Sequence, residues 1–445
     1  MALSRHLSRQ PPDRADHADV APKADGPAPA SPPGAPGDGD ADRHGPSPAS
    51  QRGLDWFIFF LADVQTGFGP FIAVYLTTQK WTQVEIGWVL SVGSVIGLLG
   101  QMPGGAIVDA ARSERLVAGL GVSVVGFSAL GYAAWPILPV VMAAAICHAA
   151  ASCVLGPSIA AISLGLVGPR GIGERLGRNA RFASLGNGSA AGLMGLIGSA
   201  ISSRAVFVVT FLLAIPTLLA LSRIKDREID PERAHGALRR PGGRIASSSV
   251  LRLLGQPALL IFAAVVMLLQ MANAALLPLM ATVVTTKSSQ WAPVLIAACI
   301  VVPQAIVALA SPTVGRLAQR WGRKPLLLIG FSALVARALL FAFVTDPFWL
   351  VAVQAFDGVT AAVFGVMVPL IVSDIAFGTG HFNFAQGVVG TATGIGASLS
   401  PLIAGYISHG FTSATAFAGM AGIAAFGLIV AAAIMPETRP RGTRA

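Results

Sequence analysis

Asp63, His148, Arg337 and Asp357 each stand inside a long apolar stretch of the chain. A charge in a lipid-embedded segment costs at least ~2.5–3.5 kcal/mol even on insertion scales, so such residues are functional candidates by default. The chemistry open to them is that of protons and ion pairs. Histidine titrates nearest neutrality, and His148 reads either as a proton site or as a hydrogen-bonded core imidazole. Asp63 lies in Leu61-Ala-Asp63-Val-Gln65-Thr66-Gly67-Phe-Gly69-Pro70, where two glycines and a proline weaken regular helix beside the carboxylate. Arg337 precedes the turn at Asp346-Pro347 by about nine residues, and Asp357 follows it by about ten. Antiparallel helices rising about 1.5 Å per residue bring the two to a similar depth. This predicts an Arg337–Asp357 ion pair, either a fixed structural pair or a switch that opens.

Elements of helical length must hold these residues. The chain has 445 residues, 54% of them apolar and 12% charged, half the roughly 25% charge of a water-soluble protein. That excludes a soluble enzyme. After Arg52 the sequence divides into twelve apolar stretches, at about 55–78, 84–108, 115–135, 138–166, 179–203, 205–222, 254–284, 291–315, 324–345, 347–376, 383–409 and 412–435. Each is near the ~20 residues needed to cross a hydrocarbon core. They are too long and continuous for barrel strands, so the fold expected is an all-α multi-pass membrane protein.

Positive charge sets the orientation. One side collects Arg112, Arg115, Arg170, Arg175, Arg178, Arg181, the Arg-rich segment 223–252, Arg316, Arg320, Arg323, Lys324 and the C-terminal arginines; the other shows only Lys80, Arg204 and Lys287. Both termini are therefore expected in the cytoplasm, in a cell (inner or plasma) membrane. The net charge of +10 records this topology and forms no nucleic-acid patch. Residues 1–52 hold six Arg/Lys, seven Asp and ten Pro, a composition that predicts a disordered cytoplasmic tail. Cys147, Cys153 and Cys299 lie in apolar stretches without metal spacing and read as core residues; no metal is expected.

The polar segment 223–253 separates two sets of six spans, 53–222 and 254–436, followed by a tail at 437–445. A repeat joins them. Pro70 matches Pro278 at a shift of 208, which sets Gln65 on Asn273; Gly156 matches Gly365 at 209; Gly105 matches Gly315 at 210. The shift of 209 also sets His148 on Asp357. Glycines crowd span five (Gly186, Gly188, Gly192, Gly195, Gly198) and span eleven (Gly390, Gly394, Gly396), where small residues permit tight helix packing.

Between spans two and three lies Gly105-Ala-Ile-Val-Asp109-Ala-Ala-Arg112-Ser-Glu114-Arg115, and between spans eight and nine Gly315-Arg-Leu-Ala-Gln-Arg320-Trp-Gly322-Arg323-Lys324. This resembles the loop signature of the major facilitator superfamily, Gly-x-x-x-Asp followed by basic residues, with Gln319 in place of the acid in the second copy. Physically, Gly105 permits a close helix crossing, and Asp109 can cap a neighbouring helix or pair with Arg112 or Arg115. The resemblance implies two pseudo-symmetric six-helix bundles and a cytoplasmic gate at Gly105, Asp109, Arg112, Gly315, Arg320 and Arg323. It also implies that spans one, four, seven and ten line a central cavity, within reach of Asp63, Gln65, His148, Gln270, Asn273, Gln354 and Asp357.

The expected function is secondary active transport of a small organic solute by alternating access, coupled to protons, with the direction open and export slightly favoured. An uncoupled facilitative carrier and a non-transporting sensor or assembly partner with a transporter fold stay open. No nucleotide-binding pattern is present, no cofactor is expected, and the protein is expected to be a monomer in the bilayer. No basic residue lies mid-span on spans one, four, seven or ten, which argues against a small anion as cargo.

Overall fold

The computed structural model describes residues 46–66, 69–237, 250–287, 292–344 and 346–439. Residues 1–45 of the expected tail, 238–249 of the central segment and 440–445 lie outside this set. Those described from Gly45 onward form one compact unit. Its first half comprises α1 (Pro48–Thr66), α2 (Gly69–Thr78), α3 (Gln83–Leu99), α4 (Gln101–Ala110), α5 (Glu114–Ala134), α6 (Leu138–Ala200) and α7 (Ser203–Ser222). A 3-10 turn and α8 (Pro231–Ala234) occupy the central segment. The second half comprises α9 (Val250–Leu254), α10 (Pro257–Asn273), α11 (Leu276–Lys287), α12 (Ala292–Trp321), α13 (Lys324–Phe343), α14 (Pro347–Val353), α15 (Ala355–Ile375), α16 (Phe382–Gly410) and α17 (Ser413–Ala433).

The short links between spans read as caps. Ser113, Ser202 and Thr412 each accept from a backbone amide three residues on, Asp346 accepts from Phe348 and Trp349, and Thr82 closes a capping box with Glu85. Such caps satisfy first-turn donors that lipid cannot. Among the described residues nine helices are long and apolar enough to cross a membrane, and α3–α4, bent by 49°, make a tenth. Helix α6 is two spans. At about 1.5 Å per residue its 63 residues would run to roughly three membrane thicknesses, and Gly168 breaks it with φ 66° and ψ 179°, a backbone open to glycine. With α1–α2 as one broken span the count is twelve.

Three expectations change. Helix α1 begins at Pro48, inside the expected tail, and Ser47 and Ser50 hydrogen-bond to Glu228 and Lys225. The link expected at 167–178 continues as helix beyond Gly168 and carries buried polar groups. Cys147 is exposed, whereas Cys153 and Cys299 are buried.

Two apolar cores hold the unit together, one drawn from residues 54–234 and one mainly from 253–435. Large apolar side chains such as Leu309 (77%) and Phe343 (79%) stay exposed, as a lipid-facing surface requires.

The repeat is visible in the packing. A Cβ on Gly105 of α4 would overlap the Asn383 carbonyl of α16, and one on Gly315 of α12 would overlap the Gly173 carbonyl of α6. Both members of the second pair differ by 210 from their counterparts in the first (315 − 105 and 383 − 173). Likewise Gly387 meets the Gln101 carbonyl and Gly177 the Ser311 carbonyl, again 210 apart. The two halves therefore cross at two repeat-related places with backbone against backbone, at the end that carries the basic loops. The later glycines of span five behave otherwise: Gly192 and Gly195 have open space where a Cβ would stand, so the packing role expected for them does not hold.

Candidate functional site

Arg337 of α13 is 1% exposed and gathers four elements. Its Nη1 donates to Asp357 Oδ1 (2.6 Å) and Asn273 Oδ1 (2.7 Å), its Nε donates to Gln354 Oε1 (3.1 Å), and the guanidinium carbon lies 5.4 Å from the Phe341 ring centroid. The partners sit at helix breaks. Asn273 ends α10, Gln354 separates α14 from α15, and Asp357 lies in the first turn of α15. Breaks of this kind bring polar groups to depths where a continuous helix would hide them. The arrangement also changes the reading of charge, because an arginine from span nine reaches residues of spans seven and ten. Asp357 keeps 23% of its side chain exposed, and Gln354 is fully buried.

Asp63 is 4% exposed on α1. Its hydrogen-bond partner is the Ser189 hydroxyl of α6 at 3.1 Å, and no cation pairs with it among the described residues. Close approach of α1 and α6 at Gly186, where a Cβ would overlap the Phe59 carbonyl, sets up this contact. His148 is half-buried and lies ten residues into α6, as Asp357 lies ten past the start of α14 at Pro347 (148 − 138 and 357 − 347). Gln270 is half-buried and Gln65 exposed. The structure thus joins Asn273, Arg337, Gln354 and Asp357, and leaves Asp63, Gln65, His148 and Gln270 outside that cluster.

The gate residues divide. Asp109 accepts from the backbone amides of Asn383 (3.1 Å) and Phe384 (2.7 Å) and from the Asn383 side chain (2.8 Å), so it caps α16 across the halves. Arg112 is exposed. Arg115 pairs instead with Asp226 at 3.2 Å and with the Ile224 carbonyl. In the second copy Gly315 crosses to the other half, whereas Arg323 pairs within its own half with Asp374 at 2.9 Å, and Arg320 is exposed, its carbonyl accepting from Arg439. Asp109 therefore takes the capping alternative, and among the described residues no arginine pairs with it.

Two clusters had no separate signal in the sequence. Asp55 receives Arg175 and Arg178 at 2.5 Å each, and Arg175 continues through Asn179 to Ser163. The arginines read as loop charges because the link was expected to be irregular; helix buries Arg175 and leaves Arg178 at the surface, 45% exposed. In the central segment His235 stands 3.0 Å from Glu114 of α5, and its carbonyl accepts from Phe382 of α16. Burial disfavours the charged imidazole, but the Glu114 bond and charge, with the Asp109 charge and the Val108 carbonyl, outweigh it and raise the His235 pKa above 6.5.

Twelve spans in two repeated halves, broken at polar residues and crossed backbone against backbone beside a capping aspartate, define a membrane carrier. The Major Facilitator Superfamily family model matches residues 56–285 and 262–445, and the chain belongs to that superfamily. It is 37% identical over 396 residues, 88% of this chain, to an uncharacterized MFS-type transporter of Mycobacterium tuberculosis, matched in two strains and covered over 94% of its length. Its fold resembles the crystal structure of the human organic anion transporter MFSD10 (TETRAN), with a TM-score of 0.67 at 15% identity, covering 86% of this chain and all of that one.

Proposed function

We propose that this MFS transporter moves a small organic solute by alternating access driven by the proton gradient, with both termini in the cytoplasm. The observation that carries the reading is Asp63, a buried carboxylate on a central helix with one neutral hydroxyl partner. Keeping such a group charged away from water costs several kcal/mol, a cost that a bound proton removes. His148, at the repeat position of Asp357, serves as a second proton site. The backbone crossings at Gly105 and Gly315 and the Asp109 cap close the cytoplasmic end. Solute and proton then exchange at the other face until the halves rock.

The test is purified protein in proteoliposomes, screened against a metabolite and drug panel with and without an imposed pH gradient. Gradient-driven accumulation of any member supports the reading. Flux insensitive to the gradient points to the facilitative carrier, and no flux under any condition removes transport.

A further inference from the structure

Resting on the reading of this chain as a transporter of organic solutes, we propose that Arg337 and Gln354 form a binding site for a carboxylate on the transported solute, and that Asp357 is an internal carboxylate which the solute displaces. The argument is a count of donors. A guanidinium has five N–H groups and a glutamine amide two. Arg337 spends Nε on Gln354 and Nη1 on Asn273 and Asp357, while Nη2 has no hydrogen-bond partner among the described residues. Gln354 accepts from Arg337 through Oε1, and the Nε2 of the same amide is buried without a partner. Four N–H groups on the two side chains thus lack an acceptor, and the two on Gln354 Nε2 are buried. Buried donors in that condition are costly, and a two-oxygen anion that also reaches Arg337 Nη2 satisfies them.

The positions say which group moves. Arg337 is pinned on one face by Phe341 and along its edge by Gln354 and Asn273. Asp357 holds it end-on, through a single oxygen to Nη1, and not with the two-point fork that arginine and carboxylate usually form. Asp357 is also the exposed member, at 23% against 1%, so it can turn to water while Arg337 cannot. Helix α15 starts at Ala355, so its positive end adds to the field at the same spot. A solute carboxylate seated with one oxygen on Nη2 and Gln354 Nε2 and the other on Nη1, in the place of Asp357 Oδ1, completes the arginine fork and frees Asp357.

The test is thermal unfolding of the purified full chain with benzoate, benzamide, and sodium chloride at matched ionic strength. Benzoate is expected to raise the Tm and the other two are not. In Asp357→Asn, benzoate is expected to bind roughly tenfold tighter, because its internal competitor is gone. A merely structural pair predicts no such gain. Equal shifts from benzoate and benzamide in the wild type overturn the proposal with no variant involved, and so does unchanged or weaker benzoate binding in a folded Asp357→Asn. The assay reads binding alone: bound benzoate with no flux of any solute overturns the transport reading, while flux of neutral solutes without benzoate binding overturns only this inference.

Discussion

Removing the Asp109 carboxylate is expected to open the cytoplasmic gate without unfolding the protein. In the closed arrangement Asp109 is the acceptor for the Asn383 and Phe384 amides, and Asn383 is fully buried. A buried donor left unsatisfied costs about 1–3 kcal/mol, so Asp109→Ala penalises the closed state by about 3 kcal/mol for the two amides. That is roughly a hundredfold in the closed-to-open ratio. The cost falls on the closed state alone, because parting α4 from α16 hydrates both amides. Asp109→Asn keeps one acceptor oxygen and is expected to shift the ratio by roughly tenfold. The assay uses a variant lacking Cys147, Cys153 and Cys299, with Ser311→Cys as reporter, since Ser311 is 0% exposed at the other repeat-related crossing. Labelling by a membrane-impermeant thiol reagent in nanodiscs should accelerate in the order wild type, Asp109→Asn, Asp109→Ala. An Asp109→Ala rate equal to that of the parent, in protein of unchanged Tm, refutes the gate argument.

Three further outcomes follow from the packing and the charges. Asp55→Ala strands Arg175, which is 3% exposed, and should cost about 3–5 kcal/mol, whereas Asp226→Ala, at a pair 28% and 58% exposed, should cost under about 1 kcal/mol; the Tm of the two variants in detergent compares them. Gly387→Ala should destabilise or open the gate because its Cβ meets the Gln101 carbonyl, while Gly192→Ala, with open space, should leave the Tm within the range of ordinary surface changes. The His235 pKa lies above its unfolded 6.5, so the stability it supplies is complete below that pH and is lost as pH rises through the raised value. His235→Gln should therefore lower the Tm in acid and match the wild type in alkali; a deficit that grows with pH contradicts the assignment.

The spans and the repeat were readable because lipid admits little besides apolar helices and because glycine and proline landmarks recur at a near-constant shift, whereas the breaks at Asn273 and Gln354 carry no such mark. The nearness of Arg337 and Asp357 followed from counting residues on either side of one turn. Counting along single elements does not, however, reveal partners on other helices. Asn273 and Gln354 were assigned to a cavity, but nothing in the sequence said that Arg337 reaches them. Ser189, the partner of Asp63, looks like any serine in a run of small residues. The Asp55–Arg175–Arg178 cluster was obscured for a different reason: a glycine-proline pair at 168–169 reads as a loop, yet only Gly168 departs from helix, and beyond it Arg175 turns inward onto Asp55. Gly192 and Gly195 show the converse, since a spacing that permits packing does not require it.

The central claim is that a proton held at Asp63 drives the solute. The most direct measurement takes a solute found in the proteoliposome screen and compares gradient-driven accumulation with gradient-free exchange in wild type and Asp63→Asn. The account predicts that Asp63→Asn exchanges the solute across the bilayer but no longer accumulates it against its gradient. Accumulation by Asp63→Asn at the wild-type level would contradict the account.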